Sequence, residues 1–147
     1  MTVPWNEFLE TGVAEIDAQH KELFVRVNAY VKALMAEAGP EEIDRLFRFL
    51  NEYVDLSFST EEKLLSDFSY PDISIHKAQH EYFKKRFASL KKIYDTHGVS
   101  DSLIQKIHKE VANWLVNHIA KTDKEWAVVI KHKKELMEKK PDLPGQP

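Results

Sequence analysis

Apolar residues recur at spacings of three and four positions through most of the chain, and turn-forming residues interrupt this pattern at three places. The interruptions are Gly39-Pro40, Tyr70-Pro71-Asp72 and His97-Gly98-Val99-Ser100. A spacing of three and four places apolar side chains along one face of an α-helix. The small numbers of glycines and prolines, 4 and 6, also argue against a many-turned β protein. The pattern therefore predicts four helices with short connections.

Each predicted helix has an expected start and one apolar stripe. The first helix is expected to begin near Asp17, the second after Pro40, the third near Asp72 and the fourth after Ser100. The stripes consist, in chain order, of His20, Leu23, Phe24, Val27, Val31 and Leu34; Leu46, Leu50, Val54, Ser57, Glu61, Leu64 or Leu65, and Phe68; His76, His80, Phe83, Phe87 and Leu90; and Ile104, Val111, Trp114 or Leu115, His118 and Val128. Short connections place neighbouring long helices antiparallel. The sequence thus predicts an all-α fold, an up-down-up-down antiparallel four-helix bundle over residues 1–140.

The two ends of the chain lie outside the helical pattern. Residues 1–16 are predicted to form an extended N-terminal arm, and residues 141–147 a disordered tail. The amino terminus has neither the basic flank nor the apolar segment of a leader, and no stretch approaches 18 consecutive apolar residues. We therefore expect a cytoplasmic protein with no membrane partner.

The composition restricts the chemistry that such a bundle can perform. The 147 residues include no cysteine, which excludes disulfides, thiolate metal sites, iron–sulfur clusters and cysteine nucleophiles. Any metal must be held by imidazole, carboxylate or water oxygen. With 21 basic and 24 acidic residues the net charge is −3, so no nucleic-acid partner is expected. The 7 histidines remain to be explained.

Polar side chains interrupt the apolar stripes of all four predicted helices. They are His20, Ser57, Glu61, His76, His80 and His118. Burial of such a group is costly unless it is hydrogen-bonded or bound to a metal. Each of them alone is more often a hydrogen-bonded core residue than a ligand, but together, in a chain without cysteine, they predict a metal site. His97, His108 and His132 lie off the stripes and are expected to be solvated.

A series of motifs between Trp5 and Asp123 resembles bacterial members of the hemerythrin family. The motifs are Gly12, Ile16-Asp17-Ala18-Gln19-His20, Leu23-Phe24, Tyr53-Val54, Phe58-Ser59-Thr60-Glu61-Glu62, Tyr70-Pro71, His76-Lys77-Ala78-Gln79-His80, Trp114-Leu115-Val116-Asn117-His118-Ile119 and Asp123. They cover most of the chain in the family's order and spacing. The resemblance implies a bundle that holds two non-haem iron ions with a solvent-derived oxo or hydroxo bridge and binds dioxygen, for oxygen transport, storage or sensing.

The resemblance also implies a role for individual residues. The implied metal ligands are His76, His80 and His118 on one iron, His20 on the iron that takes dioxygen, and Glu61 and Asp123 as bridges between the two. The implied apolar pocket around the gas consists of Leu23, Phe58, Trp114, Leu115 and Ile119. No catalytic residue is implied.

The last two implied ligands have an unusual spacing for a helix. His118 and Asp123 are five positions apart, which on a regular α-helix turns the second side chain by roughly 140° from the first. They can therefore share one centre only if they meet the metals from different sides, or if a π-type bulge or kink intervenes. Such distortions cluster at functional sites.

Ser57 departs from the family's pattern of ligands. A histidine belongs at this position, four residues before Glu61, and its imidazole would bind the same iron as His20. A serine hydroxyl is a poor iron ligand, so water, hydroxide or a buffer anion is expected to fill the position if the iron is retained. Glu62 lies about 100° from Glu61 around the helix and is a poor substitute.

Three outcomes of this departure stay open. The second iron is retained with an extra open position, or it is bound weakly and lost, or another oxygen ligand compensates. The functional hypotheses are accordingly a dioxygen-binding protein with an altered second iron site, a peroxidase-like or other oxidising enzyme at the same centre, and a metal-binding bundle that has lost oxygen binding.

Overall fold

Helix is the only regular secondary structure among the described residues, as the apolar spacing predicts. The computed structural model describes Trp5 and residues 7–36 and 40–138. The predicted tail at 141–147 and the side chain of Leu34 lie outside the described part of the chain. The all-α class is therefore confirmed, and the arrangement is that of a helical bundle.

Four long helical segments account for most of the described residues. They are α1 (Ala14–Met35), α2 (Pro40–Asp67), α3 (Ile73–His97) and residues 101–138, which we call α4; a 3₁₀ turn at Glu7–Leu9 precedes α1. The last segment is α-helical over Asp101–Ile107, Trp114–Asn117 and Lys124–Glu138, and π-helical over His108–Asn113 and His118–Asp123. The backbone stays in the right-handed helical region across these junctions. Among the described residues, no helix combines the length and apolar composition that crossing a bilayer requires.

The predicted helix starts are confirmed except that of α1. α4 begins after Ser100, whose Oγ accepts a backbone N–H of the first turn at 3.0 Å. α1 begins at Ala14 rather than near Asp17. The Asp17 carboxylate instead accepts the N–H and Oγ1–H of Thr11, both at 2.7 Å, and the N–H of Gly12 at 3.1 Å. Asp17 thus ties the chain before α1 to the first turn of that helix.

Three apolar clusters lie in the interior of the described part of the chain, and buried polar residues separate the two largest along the helices. The larger cluster includes Leu23 of α1, Phe58 of α2, Phe83 of α3 and Leu115 of α4. The smaller cluster consists of Ile16, Leu65, Tyr70, Trp126, Ala127 and Ile130. The buried polar residues between them are His20, Ser57, Glu61, His76, His80, His118 and Asp123. We call this set the polar layer; it has apolar packing on both sides.

The prediction of a core position at Val128 is wrong. Its side chain is 69% exposed, and the buried face of this part of α4 carries Trp126, Ala127 and Ile130 instead. A π turn contains more residues than an α turn, so it rotates all that follows relative to a regular helix. Counting three and four positions onward from His118 therefore misplaces the buried face.

Candidate metal centre

Six side chains from all four helices converge in the polar layer. They are His20 of α1, Glu61 of α2, His76 and His80 of α3, and His118 and Asp123 of α4, each at most 5% exposed. Their ligand atoms form two overlapping groups, each within 4.8 Å: Glu61 with His76, His80 and His118, and Glu61 with His20 and Asp123. The structure thus brings together all six residues that the sequence resemblance implies as metal ligands.

Glu61 lies between the two groups and presents one oxygen to each. Its Oε1 is 2.6 Å from Nε2 of His20. Its Oε2 is 3.1 Å from Nε2 of His76 and 3.1 Å from Nε2 of His80. A carboxylate oriented in this way can bridge two cations.

The two carboxylate oxygens of Asp123 also face different halves of the site. Its Oδ2 is 3.3 Å from Nε2 of His20, whereas its Oδ1 is 3.4 Å from Nε2 of His76 and 3.3 Å from Nε2 of His118. The site therefore has a three-histidine half (His76, His80 and His118) and a His20 half, with carboxylate oxygens facing both. Imidazole nitrogen and carboxylate oxygen are donors that suit iron, so this donor set fits a pair of such ions.

The second π turn of α4 brings His118 and Asp123 to the same centre. A π turn closes hydrogen bonds between residues five apart, and so places such residues on nearly the same side of the helix. Nε2 of His118 and Oδ1 of Asp123 are consequently 3.3 Å apart. Of the arrangements that the spacing left open, the structure has the π-type one.

Neighbouring charges set the pKa values inside the polar layer. Burial favours the neutral form of Glu61, but contacts with His20, His76 and His80 outweigh burial and hold the pKa of Glu61 well below its ordinary value. Burial lowers the pKa of His20, yet its contact with Glu61 offsets this effect and the net shift is upward. The pKa of His80 is raised in the same way, against burial, by Glu61 and Glu62. Glu61 is therefore an anion at neutral pH, the form that binds a cation.

Two residues that sequence reasoning did not place at the site contact its ligands. Nε1 of Trp126 donates a hydrogen bond to Oδ1 of Asp123 at 2.9 Å. Oε2 of Glu62 lies 2.8 Å from Nδ1 of His80. Trp126 follows Asp123 by three positions, a spacing that permits contact on a helix, and this spacing is the signal that could have found it.

The residues implied as the oxygen pocket lie in two apolar clusters. Leu23, Phe58 and Leu115 belong to the larger cluster with Trp114 packed against it, and Ile119 belongs to a third cluster with Leu9 and Phe24. Phe58 stacks on His80 with ring centroids 3.8 Å apart, and Trp114 stacks on His118 at 4.6 Å. The three-histidine half is therefore held between aromatic rings.

Ser57 is fully buried in the polar layer, one helical turn before Glu61. Its Oγ has no hydrogen-bond partner within the described ranges. A buried hydroxyl without a partner is costly, so this position is not explained by packing alone.

The remaining three histidines differ in exposure, although all three were predicted to be solvated. His97 and His132 are exposed, as expected, whereas His108 is half-buried. His108 begins the first π turn of α4, and its Nδ1 is enclosed by the protein. The prediction of a solvated His108 is therefore wrong: it follows the fully buried Ile107 on α4 and its ring is partly covered.

A helical bundle whose interior gathers imidazoles around two shared carboxylates is the architecture of a metal-binding bundle protein. Residues 11–129 match the family described as the hemerythrin HHE cation binding domain, and the chain belongs to the hemerythrin family. Hemerythrins bind dioxygen, and membership of the family implies a non-haem di-iron centre.

Bacterial relatives support this assignment over most of the chain. The bacteriohemerythrin of Clostridium acetobutylicum is 31% identical over 128 residues, covering 83% of this chain and 96% of that protein. The bacteriohemerythrin of Methylococcus capsulatus is 34% identical over 114 residues, with coverages of 78% and 85%. That of Aquifex aeolicus is 26% identical over 123 residues, with coverages of 84% and 93%.

Proposed function

We propose that this protein binds dioxygen at a non-haem di-iron centre in the polar layer. The observation that carries the proposal is the division of the Glu61 and Asp123 oxygens between the His20 half and the three-histidine half. Two cations placed side by side in a low-dielectric interior repel each other strongly unless anions lie between them. Two carboxylates with an oxygen for each half meet this requirement.

Each residue of the site has one role in this proposal. His76, His80 and His118 would hold one iron ion, His20 would hold the ion proposed to take dioxygen, and Glu61 and Asp123 would be shared by both. When bound, the iron pair would supply the redox chemistry for reversible dioxygen binding. The side chains that exclude water from this chemistry are Leu23, Phe58, Trp114, Leu115 and Ile119.

We infer further that Ser57 leaves the His20 half more open than the family's pattern. That half offers one imidazole and carboxylate oxygens, and a neutral hydroxyl is a weak donor to iron. The complete burial of Ser57 one turn before Glu61 supports this inference. An extra open position favours peroxidase-like oxidation at the same centre, which is the second candidate function.

Contacts between helices support the up-down-up-down order of the bundle. Between α1 and α2, Gln19 contacts Thr60, whereas the later Tyr30 contacts the earlier Phe49. Between α3 and α4, His80 contacts His118, whereas the later Arg86 contacts the earlier Glu110. The contacts thus run in opposite directions along each of these two pairs of helices. Trp5 lies edge-on to Phe24, with ring centroids 5.3 Å apart, which supports an N-terminal arm that packs along α1.

Iron content and the response to dioxygen test this function. Protein purified in air is expected to contain about two iron ions per chain and to show the visible absorption of a ferric pair. After anaerobic reduction, dioxygen should produce a visible band that a stream of argon removes. Iron near one per chain, or no band, would contradict the proposal. A band that decays irreversibly, together with peroxide-dependent oxidation of an added dye, would support the second candidate function.

Two histidine variants make the test specific to the site. His76→Gln removes a residue of the three-histidine half and is expected to abolish both the iron pair and the band. His132→Gln changes an exposed histidine of α4 and is expected to leave both unchanged.

A further inference from the structure

Two consecutive carboxylates of α2 contact the two ring nitrogens of one histidine of α3. Oε2 of Glu61 lies 3.1 Å from Nε2 of His80, on the inner side of the ring. Oε2 of Glu62 lies 2.8 Å from Nδ1 on the other side. Successive residues on a helix point about 100° apart, so Glu62 cannot replace Glu61 inside the site, but it can reach the outer nitrogen of the same imidazole.

The Glu62 contact determines which nitrogen of His80 is free for a metal. A carboxylate only accepts hydrogen bonds, so the 2.8 Å contact requires a proton on Nδ1 of His80. In the neutral ring Nε2 then carries the lone pair, and Nε2 is the nitrogen that faces Glu61. The preferred tautomer of His80 is therefore the one that presents Nε2 to the centre of the polar layer.

The orientation of the His80 ring is restrained on its face as well as at its edge. Phe58 lies parallel to the ring, with centroids 3.8 Å apart and an interplanar angle of 1°. By contrast, Nδ1 of His20 and Nδ1 of His76 are buried and meet no hydrogen-bond acceptor in the described part of the chain. His80 is 0% exposed, whereas Glu62 is 25% exposed and keeps contact with solvent.

We propose that Glu62 is a positioning residue of the metal centre: it accepts the Nδ1–H of His80 and so holds Nε2 of that ring toward the metal. The proposal rests on the proposed function only in taking His80 as a metal ligand. A carboxylate behind a ligating histidine fixes its tautomer and increases its basicity, and loss of such a partner typically weakens metal binding 10- to 100-fold.

Zinc provides a test that involves neither iron nor dioxygen. The metal-free full-length protein is titrated with Zn²⁺ in competition with a chromophoric chelator. Glu62→Ala should weaken zinc binding about 10- to 100-fold. Glu62→Gln keeps an acceptor oxygen and should retain most of the affinity. Glu52→Ala, which changes an exposed glutamate of the same helix, should match the wild type.

A second measurement reports the hydrogen bond itself. In the zinc-loaded protein labelled with ¹⁵N at histidine, the Nδ1–H proton of His80 should give a strongly downfield signal. This signal should be lost in Glu62→Ala and retained, with a shift, in Glu62→Gln. A merely structural role of Glu62 would lower stability without removing this proton signal from the folded protein.

Two results would overturn the proposal. One is equal zinc affinity and an unchanged His80 signal in wild type and Glu62→Ala. The other is an equal loss of affinity in Glu62→Ala and Glu52→Ala, which would assign the effect to the helix. Because zinc does not react with dioxygen, failure of oxygen binding would leave these measurements valid.

Discussion

The indole of Trp126 donates a hydrogen bond to Oδ1 of Asp123 at 2.9 Å, so one turn of α4 both supplies a shared carboxylate and orients it. Trp126 is 0% exposed and also packs in the smaller apolar cluster. The site is thus connected to the core at the end of the bundle by a directional contact, in addition to apolar packing.

Trp126→Phe is expected to separate these two contributions. Phenylalanine keeps most of the apolar volume but lacks the donor, so we expect a loss of stability of about 1–3 kcal/mol. We also expect weaker binding of the metal on the three-histidine half, which Oδ1 of Asp123 faces. Urea denaturation and metal analysis after dialysis measure the two effects. Trp5→Phe, a change in the arm, should leave metal content unchanged; an equal metal loss in both variants would contradict the role of the hydrogen bond.

Ser57→His tests the inference that Ser57 leaves the His20 half more open. An added imidazole should tighten metal binding on the His20 half by tenfold or more, equivalent to about 1.4 kcal/mol, and slow autoxidation of the reduced protein. Ser57→Ala removes the hydroxyl without adding a ligand and should behave like the wild type. Chelator competition and stopped-flow absorption follow both variants. Unchanged affinity and autoxidation in a folded Ser57→His protein would show that this position does not face the metal.

Leu23→Ala tests the proposed apolar pocket around dioxygen. Leu23 is 1% exposed and, with Leu115 and Ala112, lines a small gap of about 10 Å³ between α1 and α4. Truncation should cost about 2–5 kcal/mol and admit water, which should shorten the lifetime of the oxygenated protein. Val25→Ala, at a 61% exposed position of the same helix, should change neither quantity. An unchanged lifetime in Leu23→Ala would exclude this residue from the pocket.

Metal should reverse the pH dependence of stability. In the metal-free protein the raised pKa values of His20 and His80 give stability that is complete below their ordinary value of 6.5 and is lost as pH rises through the folded values. The lowered pKa of Glu61 gives stability that is present above its ordinary value of 4.5 and is lost as pH falls through the folded value. Thermal denaturation without metal should therefore show maximal stability between these two ordinary values.

Bound metal requires unprotonated imidazoles, so protons compete with it. With saturating Zn²⁺, the melting temperature should no longer fall as pH rises from about 6 to 8 and should fall instead as pH drops below about 6. The same negative slope above pH 6 with and without zinc would show that the metal does not occupy these histidines.

Sequence periodicity is sufficient for the helices and for placing the polar stripe residues on their inward faces, because both depend on local spacing. Periodicity does not predict the role of a residue whose contacts depend on how separate segments pack together. Glu62 lies 100° from the inner face and looks like a solvated residue until the outer nitrogen of His80 is placed beside it. Asp17 has the chemistry of an N-cap, but its carboxylate is used by Thr11 and Gly12, which precede the helix.

The error at Val128 has a different origin. Counting along α4 assumes a constant number of residues per turn, and the π turns break that assumption. The π turn that brings His118 and Asp123 together therefore also shifts the buried positions that follow it in α4. The five-residue spacing of His118 and Asp123 pointed to the distortion, but nothing in the sequence indicated the shift of the later buried positions.

The π turn between His118 and Asp123 also has a consequence for how the protein responds to loss of its metal. A π turn is less favourable than regular α-helix, and here it occurs where two proposed ligands five residues apart meet at one centre. Without a bound metal, we expect the backbone hydrogen bonds of this segment to shift toward the regular α-helical pattern. Amide hydrogen exchange in residues 118–123 should therefore be faster without metal than with it, and this difference should be larger than any change in overall helix content.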